Sequence, residues 1–273
     1  MSDGDQPVDT TAAEAYEEHL VPQIFGPWAQ LVVDLVAPEP GAHVLDVACG
    51  TGIAARLVAN SATASGRIVG VDVDPGMIAV ARRLGRDADV PVEWYCDSAL
   101  NMPFEDRTFD LCFCLQGLQF FPDRVGGFAE IRRVLKPIGQ LVATLWWPLE
   151  HNKGHYALAQ SLERQGVDAS PGRRPFSFGD ANEIRETARR AGFREVSVRT
   201  EERLVHFPSV EAFVNSLASG APSTRHALAQ LSQQGVDRLI RDVTTILEPY
   251  VAGGVDRKST RLNSSHMSES RMP

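Results

Sequence analysis

The sequence predicts an α/β fold, a doubly wound and mainly parallel sheet with helices on both of its faces. Three observations carry that expectation. Five short apolar runs alternate with stretches of helical periodicity through short loops, the first run stops in a glycine-rich turn, and an acid stands at the tip of the second. Unbroken Val/Leu runs are typical of strands buried on both faces, and successive strand–helix–strand units wind parallel and right-handed.

The first run, His43-Val44-Leu45-Asp46-Val47, leads into Ala48-Cys49-Gly50-Thr51-Gly52. Glycines directly after a buried strand let the chain turn tightly and approach a ligand closely. Ile53 to Asn60, with Ala54, Ala55, Leu57, Val58 and Ala59, reads as a helix, so the turn faces a helix N-terminus. The second run, Arg67 to Val71, ends at Asp72, 20 positions beyond Gly52, where a doubly wound fold holds a ribose diol. A dinucleotide site adds a third glycine, whose place is taken here by Ala55, and alanine is tolerated there in some such sites. Asp46 inside the turn is a poor neighbour for a pyrophosphate and a good one for a ligand with a cationic amine.

Val44-Leu45-Asp46-Val47-Ala48-Cys49-Gly50-Thr51-Gly52 resembles the first motif of class I S-adenosylmethionine-dependent methyltransferases. It is most similar to the small-molecule branch that includes the ubiquinone and menaquinone C-methyltransferases. The resemblance runs from His43 to Trp147 and more weakly to Val255. It implies a Rossmann-like core, S-adenosyl-L-methionine as cofactor with S-adenosyl-L-homocysteine as product, and a cofactor site that includes Asp46, Ala48, Gly50, Thr51 and Gly52. It also implies that Asp72 takes the two ribose hydroxyls while Val73 and Met77 press on the adenine.

Asp74 and Pro75 open the next helix, Asp74 as its cap. Val92 to Cys96 is the third strand, with Asp97-Ser98-Ala99 at its exit, the edge where open α/β sheets bind ligands. By resemblance Asp97 accepts a hydrogen bond from the adenine amino group and the next backbone amide meets a ring nitrogen. Phe109 to Leu115 is the fourth strand, and the resemblance places Leu115, Gln116 and Gln119 of its exit at the reaction centre. Base- and glutamine-methylating relatives carry an Asn/Asp-Pro-Pro-aromatic stretch there, which this sequence lacks.

Asp123 caps a helix bearing Val125, Phe128, Ile131 and Val134, with Arg132, Arg133 and Lys136 as its solvated face, and Pro137 and Gly139 closing it. Gln140 to Trp147 is the fifth strand. Residues 148–178 read as a lid inserted over the ligand edge. His151 and His155 in it are spaced i, i+4 without a third metal ligand, so they are read as surface histidines, or as weak candidates for a general base. A helix from Asp180 to Ala191, a strand from Glu195 to Glu201 and helices from Ser209 to Tyr250 follow. The organisation expected is a helical cap over 1–40, a cofactor-binding core over 41–147, the lid over 148–178 and the rest of the α/β domain over 179–255.

The cap carries two helical patterns, at 11–20 and from Pro27, and by resemblance its Tyr16, Phe25 and Trp28 are pocket candidates beside Phe120, Phe121 and Trp146. Aromatics at helical spacing also serve as ordinary core.

With 273 residues and 43% hydrophobic content the chain can hold a sizeable core. Its net charge of -8 and lack of a basic cluster argue against a nucleic-acid partner. No apolar run approaches a membrane span and Met1 to Thr10 has no apolar leader, so a cytoplasmic protein is expected. The four cysteines, Cys49, Cys96, Cys112 and Cys114, lie in or beside strands without Cys-x-x-Cys spacing, and neither metal nor disulfide is expected. Residues 256–273 resemble an in-frame translated sequencing adapter and are expected to be non-native, with the last antiparallel strand of the fold missing.

The reaction these features imply is methyl transfer to a small-molecule acceptor, at oxygen or carbon, by in-line displacement in a dry pocket. Two other readings stay open. One is a catalytically silent S-adenosylmethionine-binding regulator; the other is a nicotinamide-dependent oxidoreductase, for which no Tyr-x-x-x-Lys dyad is present. Oligomeric state is not legible.

Overall fold

Val44–Val47 is apolar but for Asp46, and as strand β1 it lies buried along its whole length between β2 (Ile68–Asp72) and β4 (Phe109–Leu115), both parallel to it. The computed structural model describes residues 8–61, 66–250 and 260–271; the acidic start over 1–7, and 251–259 and 272–273 of the tail region, lie outside the described residues. β3 (Val92–Cys96) pairs in parallel with β2, and β5 (Leu135–Leu145) with β4. Strand order reverses across β1, and at such a switch point the exits of neighbouring strands part to leave a crevice.

Period-two alternation divides β4 between two cores. Leu111 and Phe113 join Val32 and Val33 of α2 (Gly26–Val36) and Ala55 and Val58 of α3 (Ile53–Ala59) on one face. Cys112 and Cys114 join Phe128 and Ile131 of α5 (Arg124–Val134) and Ile184 and Ala188 of α8 (Ala181–Arg190) on the other. Helices therefore cover both faces, as the sequence predicts.

A third cluster lies against the outgoing ends of the strands. It joins α6 (Lys153–Arg164), α9 (Val210–Gly220), α10 (Pro222–Leu228) and α11 (Gln233–Leu247) to Trp146, Phe176 and the N-terminal residues Leu20 and Ile24. Ser161 Oγ of α6 donates to Asp242 of α11 at 3.1 Å, so α6, in the segment read as a lid, is docked on the C-terminal helices. α1 (Thr11–His19) runs against α9 at Gly220, where a Cβ would meet Tyr16 N at 2.9 Å. A π-helical turn, Val21–Phe25, joins α1 to α2.

Caps fall where polar side chains precede periodic stretches. Asp74 accepts from Gly76 N and Met77 N at the start of α4 (Pro75–Leu84), Asp123 from Gly126 N at α5, and Asp180 from Asn182 N and Glu183 N at α8. α5 stops at Val134, earlier than expected, because Pro137 disfavours helical geometry at Lys136; β5 begins at Leu135. Arg133 and Lys136 are not a free solvated face: Arg133 pairs with Glu130 and Asp106, and Lys136 with Asp110.

The expectation of a missing last strand is corrected. β7 (Thr260–Arg271) lies antiparallel between β5 and β6 (Glu195–Phe207), with Gln140 and Glu195 both opposite Arg271 and Phe207 opposite Thr260. The segment has no apolar alternation to announce a strand. Two flanking strand edges nevertheless present rows of main-chain donors and acceptors, which pair with any extended backbone. The sheet among the described residues is seven-stranded, β3-β2-β1-β4-β5-β7-β6.

Deleting residues 260–273 would bare the facing edges of β5 and β6. Thermal melting of the truncated chain is expected to fall by at least about 5 °C, equivalent to roughly 2 kcal/mol for a domain of this size; an unchanged midpoint would mean that β7 adds nothing to the sheet.

Candidate functional site

The chain leaves β1 through a turn held in left-handed geometry at Ala48 (φ 55°), Gly50 (φ 56°) and Gly52 (φ 81°). Gly52 has no alternative, since a Cβ there would fall 2.2 Å from Trp94 Cη2. At Gly50 a Cβ would meet nothing nearer than Tyr16 Cε1 at 3.9 Å, so bare backbone faces open space.

Two carboxylates fasten this turn. Asp46, 2% exposed, accepts a hydrogen bond from Ala55 N at 3.1 Å and so ties β1 to the first turn of α3. Asp72 accepts from Gly50 N at 2.8 Å through one oxygen and from Asp74 N at 2.9 Å through the other. The Asp72 carbonyl in turn accepts from Asp97 N at 3.0 Å. The exits of β1, β2 and β3 are thereby locked to one another.

Burial pushes both carboxyls up, that of Asp46 to about 7, while the backbone N–H groups pull the other way. Burial also raises the thiols of Cys49, Cys112 and Cys114 and the phenol of Tyr16, which leaves the three thiols inert as nucleophiles.

These exits open on a cavity of about 530 Å³. Of the cofactor candidates, Asp46, Ala48, Gly50, Asp72, Val73, Met77, Asp97, Ser98, Ala99, Leu115 and Gln116 all line it. Thr51 and Gly52 do not. Thr51 is buried and donates its hydroxyl to Glu17 at 2.5 Å, and Glu17 also pairs with Arg56 at 2.7 Å, so the second half of the turn anchors α1 to α3.

Of the acceptor-pocket candidates, Tyr16, Phe25, Trp28, Phe120 and Trp146 line the same cavity. Tyr16 and Phe25 stack at 4.9 Å, and Phe25 meets Trp146 edge-on at 6.3 Å. Gln119 is displaced from the wall: it is 2% exposed and its Nε2 donates to the Gln116 carbonyl at 2.8 Å. That bond fastens the β4 exit, where Gln116 takes a left-handed φ of 59° and donates its own N–H to the Thr144 carbonyl at 2.9 Å.

The two histidines separate. His155 lines the cavity, and burial lowers its imidazole to about 4. His151 is exposed and stacks on Trp147 at 3.8 Å, outside it, because a short helical turn at Leu149–His151 ends before α6 begins and breaks the i, i+4 alignment. No group of three or more His, Cys, Asp or Glu able to hold a metal occurs among the described residues, and no helix there is long and apolar enough to cross a membrane.

The rest of the wall escaped sequence reasoning. Leu20 and Ile24 come from the N-terminal layer, Pro175 and Phe176 from the segment after α7 (Ser170–Arg173), and Leu217 and Ala221 to Thr224 from the α9–α10 junction. The apolarity of all but Ser223 and Thr224 was visible; their convergence on the sheet edge depends on contacts across most of the chain.

Ionisation of Asp46 opposes folding. Its folded pKa stands above the ordinary carboxylate value, so the stability it contributes is complete below about pH 4 and is lost as pH rises through about 7. Denaturant melts of the ligand-free protein are expected to show a loss of stability from pH 5 to 8 that is smaller in Asp46→Asn; equal losses would place the titration elsewhere.

Comparison with known proteins bears on this geometry. Residues 45–143 match a methyltransferase domain family. The chain is 32% identical over 197 residues to 24-methylenesterol C-methyltransferase 2 of Arabidopsis thaliana, covering 70% of this chain and 51% of that protein. It is 32% identical over 164 residues to demethylmenaquinone methyltransferase of Symbiobacterium thermophilum, covering 52% of this chain and 63% of that one. The chain thus spans about half the length of the first curated relatives it matches.

Among solved structures, phosphoethanolamine N-methyltransferase 2 of Haemonchus contortus, in complex with phosphomonomethylethanolamine and S-adenosylhomocysteine, superposes with a TM-score of 0.62 at 22% identity, over 97% of this chain and 58% of that one. The 4+2 cyclase SpnF superposes at 0.55 with 23% identity, over 91% and 81%. At such identities the likeness speaks for the fold.

Proposed function

We propose that this chain, whose residues 45–143 match a methyltransferase domain family, transfers the methyl group of S-adenosylmethionine to a small-molecule acceptor. One observation carries the reading: the bare backbone at Gly50, the carboxylates of Asp72 and Asp97 and the aromatic pair Phe25 and Trp146 all border a single cavity.

The residues present fit the cofactor. The cavity is acidic where β1, β2 and β3 end, with Asp46, Asp72, Asp74 and Asp97 on its wall, which suits a ligand bearing an ammonium and a sulfonium. In this assignment Asp72 holds the ribose hydroxyls with the lone pairs its backbone donors leave free. Asp97, Ser98 and Ala99 border the adenine, and Val73 and Met77 press on its faces. A pyrophosphate would be repelled by the same carboxylates, which disfavours a nicotinamide cofactor.

The cofactor supplies a methyl group that is already activated. What remains for the protein is alignment of acceptor, methyl carbon and sulfur in a dry site, a contribution of about 7–11 kcal/mol. In this reading the aromatic lining, with Trp146 buried at the β5 exit and Phe120 exposed at the β4 exit, keeps water from the acceptor. A net charge of -8 supports a small molecule over a nucleic acid as acceptor.

S-adenosylhomocysteine is expected to raise the melting temperature of the wild-type chain, and NAD to leave it unchanged; the reverse pattern would overturn the assignment. Asp72→Ala is expected to weaken S-adenosylhomocysteine binding by about 10- to 150-fold in calorimetry, the loss of a charge-assisted hydrogen bond worth roughly 1.5–3 kcal/mol. Melting is measured in parallel, because the same carboxylate also holds Gly50 and Asp74.

A further inference from the structure

The wall of the cavity changes character along its length. Its carboxylates gather where β1, β2 and β3 end, whereas the far end, at the exit of β5, is formed by Trp146, Phe176, Leu217 and a single imidazole, His155. Among the described residues no Lys or Arg lines the cavity. A phosphate or carboxylate entering it would lose its water without gaining a cationic partner.

His155 stands in the first turn of α6, boxed by the rings of Trp146, Phe176 and Phe213 at 5.7, 5.1 and 5.5 Å. None of these neighbours carries a charge. Burial alone shifts the imidazole, to about 4, so it is neutral across the physiological range. A neutral imidazole offers one acceptor and one donor nitrogen. It is thus the titratable group at the end of the cavity remote from the acids.

Resting on the methyl-transfer reading, we propose that the acceptor is an uncharged, largely apolar molecule bearing a phenolic or enolic hydroxyl, and that His155 holds this hydroxyl and receives its proton. In the step, the acceptor oxygen forms a bond to the methyl carbon while the carbon–sulfur bond breaks, its electron pair passing to sulfur. The electrons of the O–H bond stay on oxygen, and the proton passes to His155 and then to water.

The order of these events follows from acidity. A phenol titrates near 10, so transfer of its proton to a base of about 4 is uphill by a factor of about a million before the methyl moves. Once the carbon–oxygen bond forms, the oxygen becomes an oxonium, a far stronger acid than protonated imidazole. His155 therefore orients a lone pair first and accepts the proton late.

The test uses the full chain saturated with S-adenosylhomocysteine, titrated with naphthalene, 1-naphthol and 1-naphthyl phosphate. The naphthol is expected to bind about 3- to 10-fold more tightly than naphthalene, the span of one neutral hydrogen bond, and the phosphate more weakly than either. His155→Phe keeps the aromatic box and is expected to erase the preference for naphthol without loss of naphthalene binding, and His155→Gln to restore part of it. Phosphate binding as tight as naphthol binding, no binding of the two neutral probes, or a preference that survives in His155→Phe would each overturn this proposal while leaving the cofactor assignment standing. Failure of the wild-type chain to bind S-adenosylhomocysteine would overturn both.

Discussion

The site depends on one carboxylate used as a brace. Asp72 takes the N–H of Gly50 on one oxygen and that of Asp74 on the other, while its carbonyl takes the N–H of Asp97. Three strand exits that would otherwise end independently are held in one geometry. Desolvation raises the carboxyl's proton affinity and the two backbone donors oppose it, so the charge of the brace is set by a balance that a cationic ligand would tip towards ionisation.

A second layer of constraint surrounds this brace. Thr51 and Arg56 share Glu17, which pins α1 across the start of α3. Gln119 clamps the β4 exit through the Gln116 carbonyl, at a residue already in a left-handed conformation. Left-handed geometry at Ala48 and Gln116 costs on the order of 1–3 kcal/mol each and persists only where surrounding bonds fix it. Both residues line the cavity, so rigidity is concentrated where a ligand must be aligned.

What could be read in the sequence was what local chemistry determines. Buried parallel strands declare themselves as apolar runs, and Asp74, Asp123 and Asp180 declare helix starts, because in each case the cause lies within a few residues. The acids at 72 and 97 were legible through their places at strand ends. Thr51 and Gln119 stand off the cavity wall because a motif gives the neighbourhood of a side chain but not its direction, and both turn into the fold. His155 and His151 carry identical sequence signals; a helical turn that ends before α6 separates them. β7 was invisible because its pairing uses the main chain of β5 and β6, which no side-chain pattern reports.

The cavity wall draws on Leu20 and Ile24 near one end of the chain and on Leu217 and Thr224 near the other, some two hundred positions apart. Contacts of that separation close slowly, because the intervening loop entropy is lost before they are rewarded. During synthesis the braced strand exits can form while the helical roof is still to emerge, so a half-made chain would display an acidic, water-filled groove. Enclosure of a guest is thereby coupled to the emergence of α9 and α10.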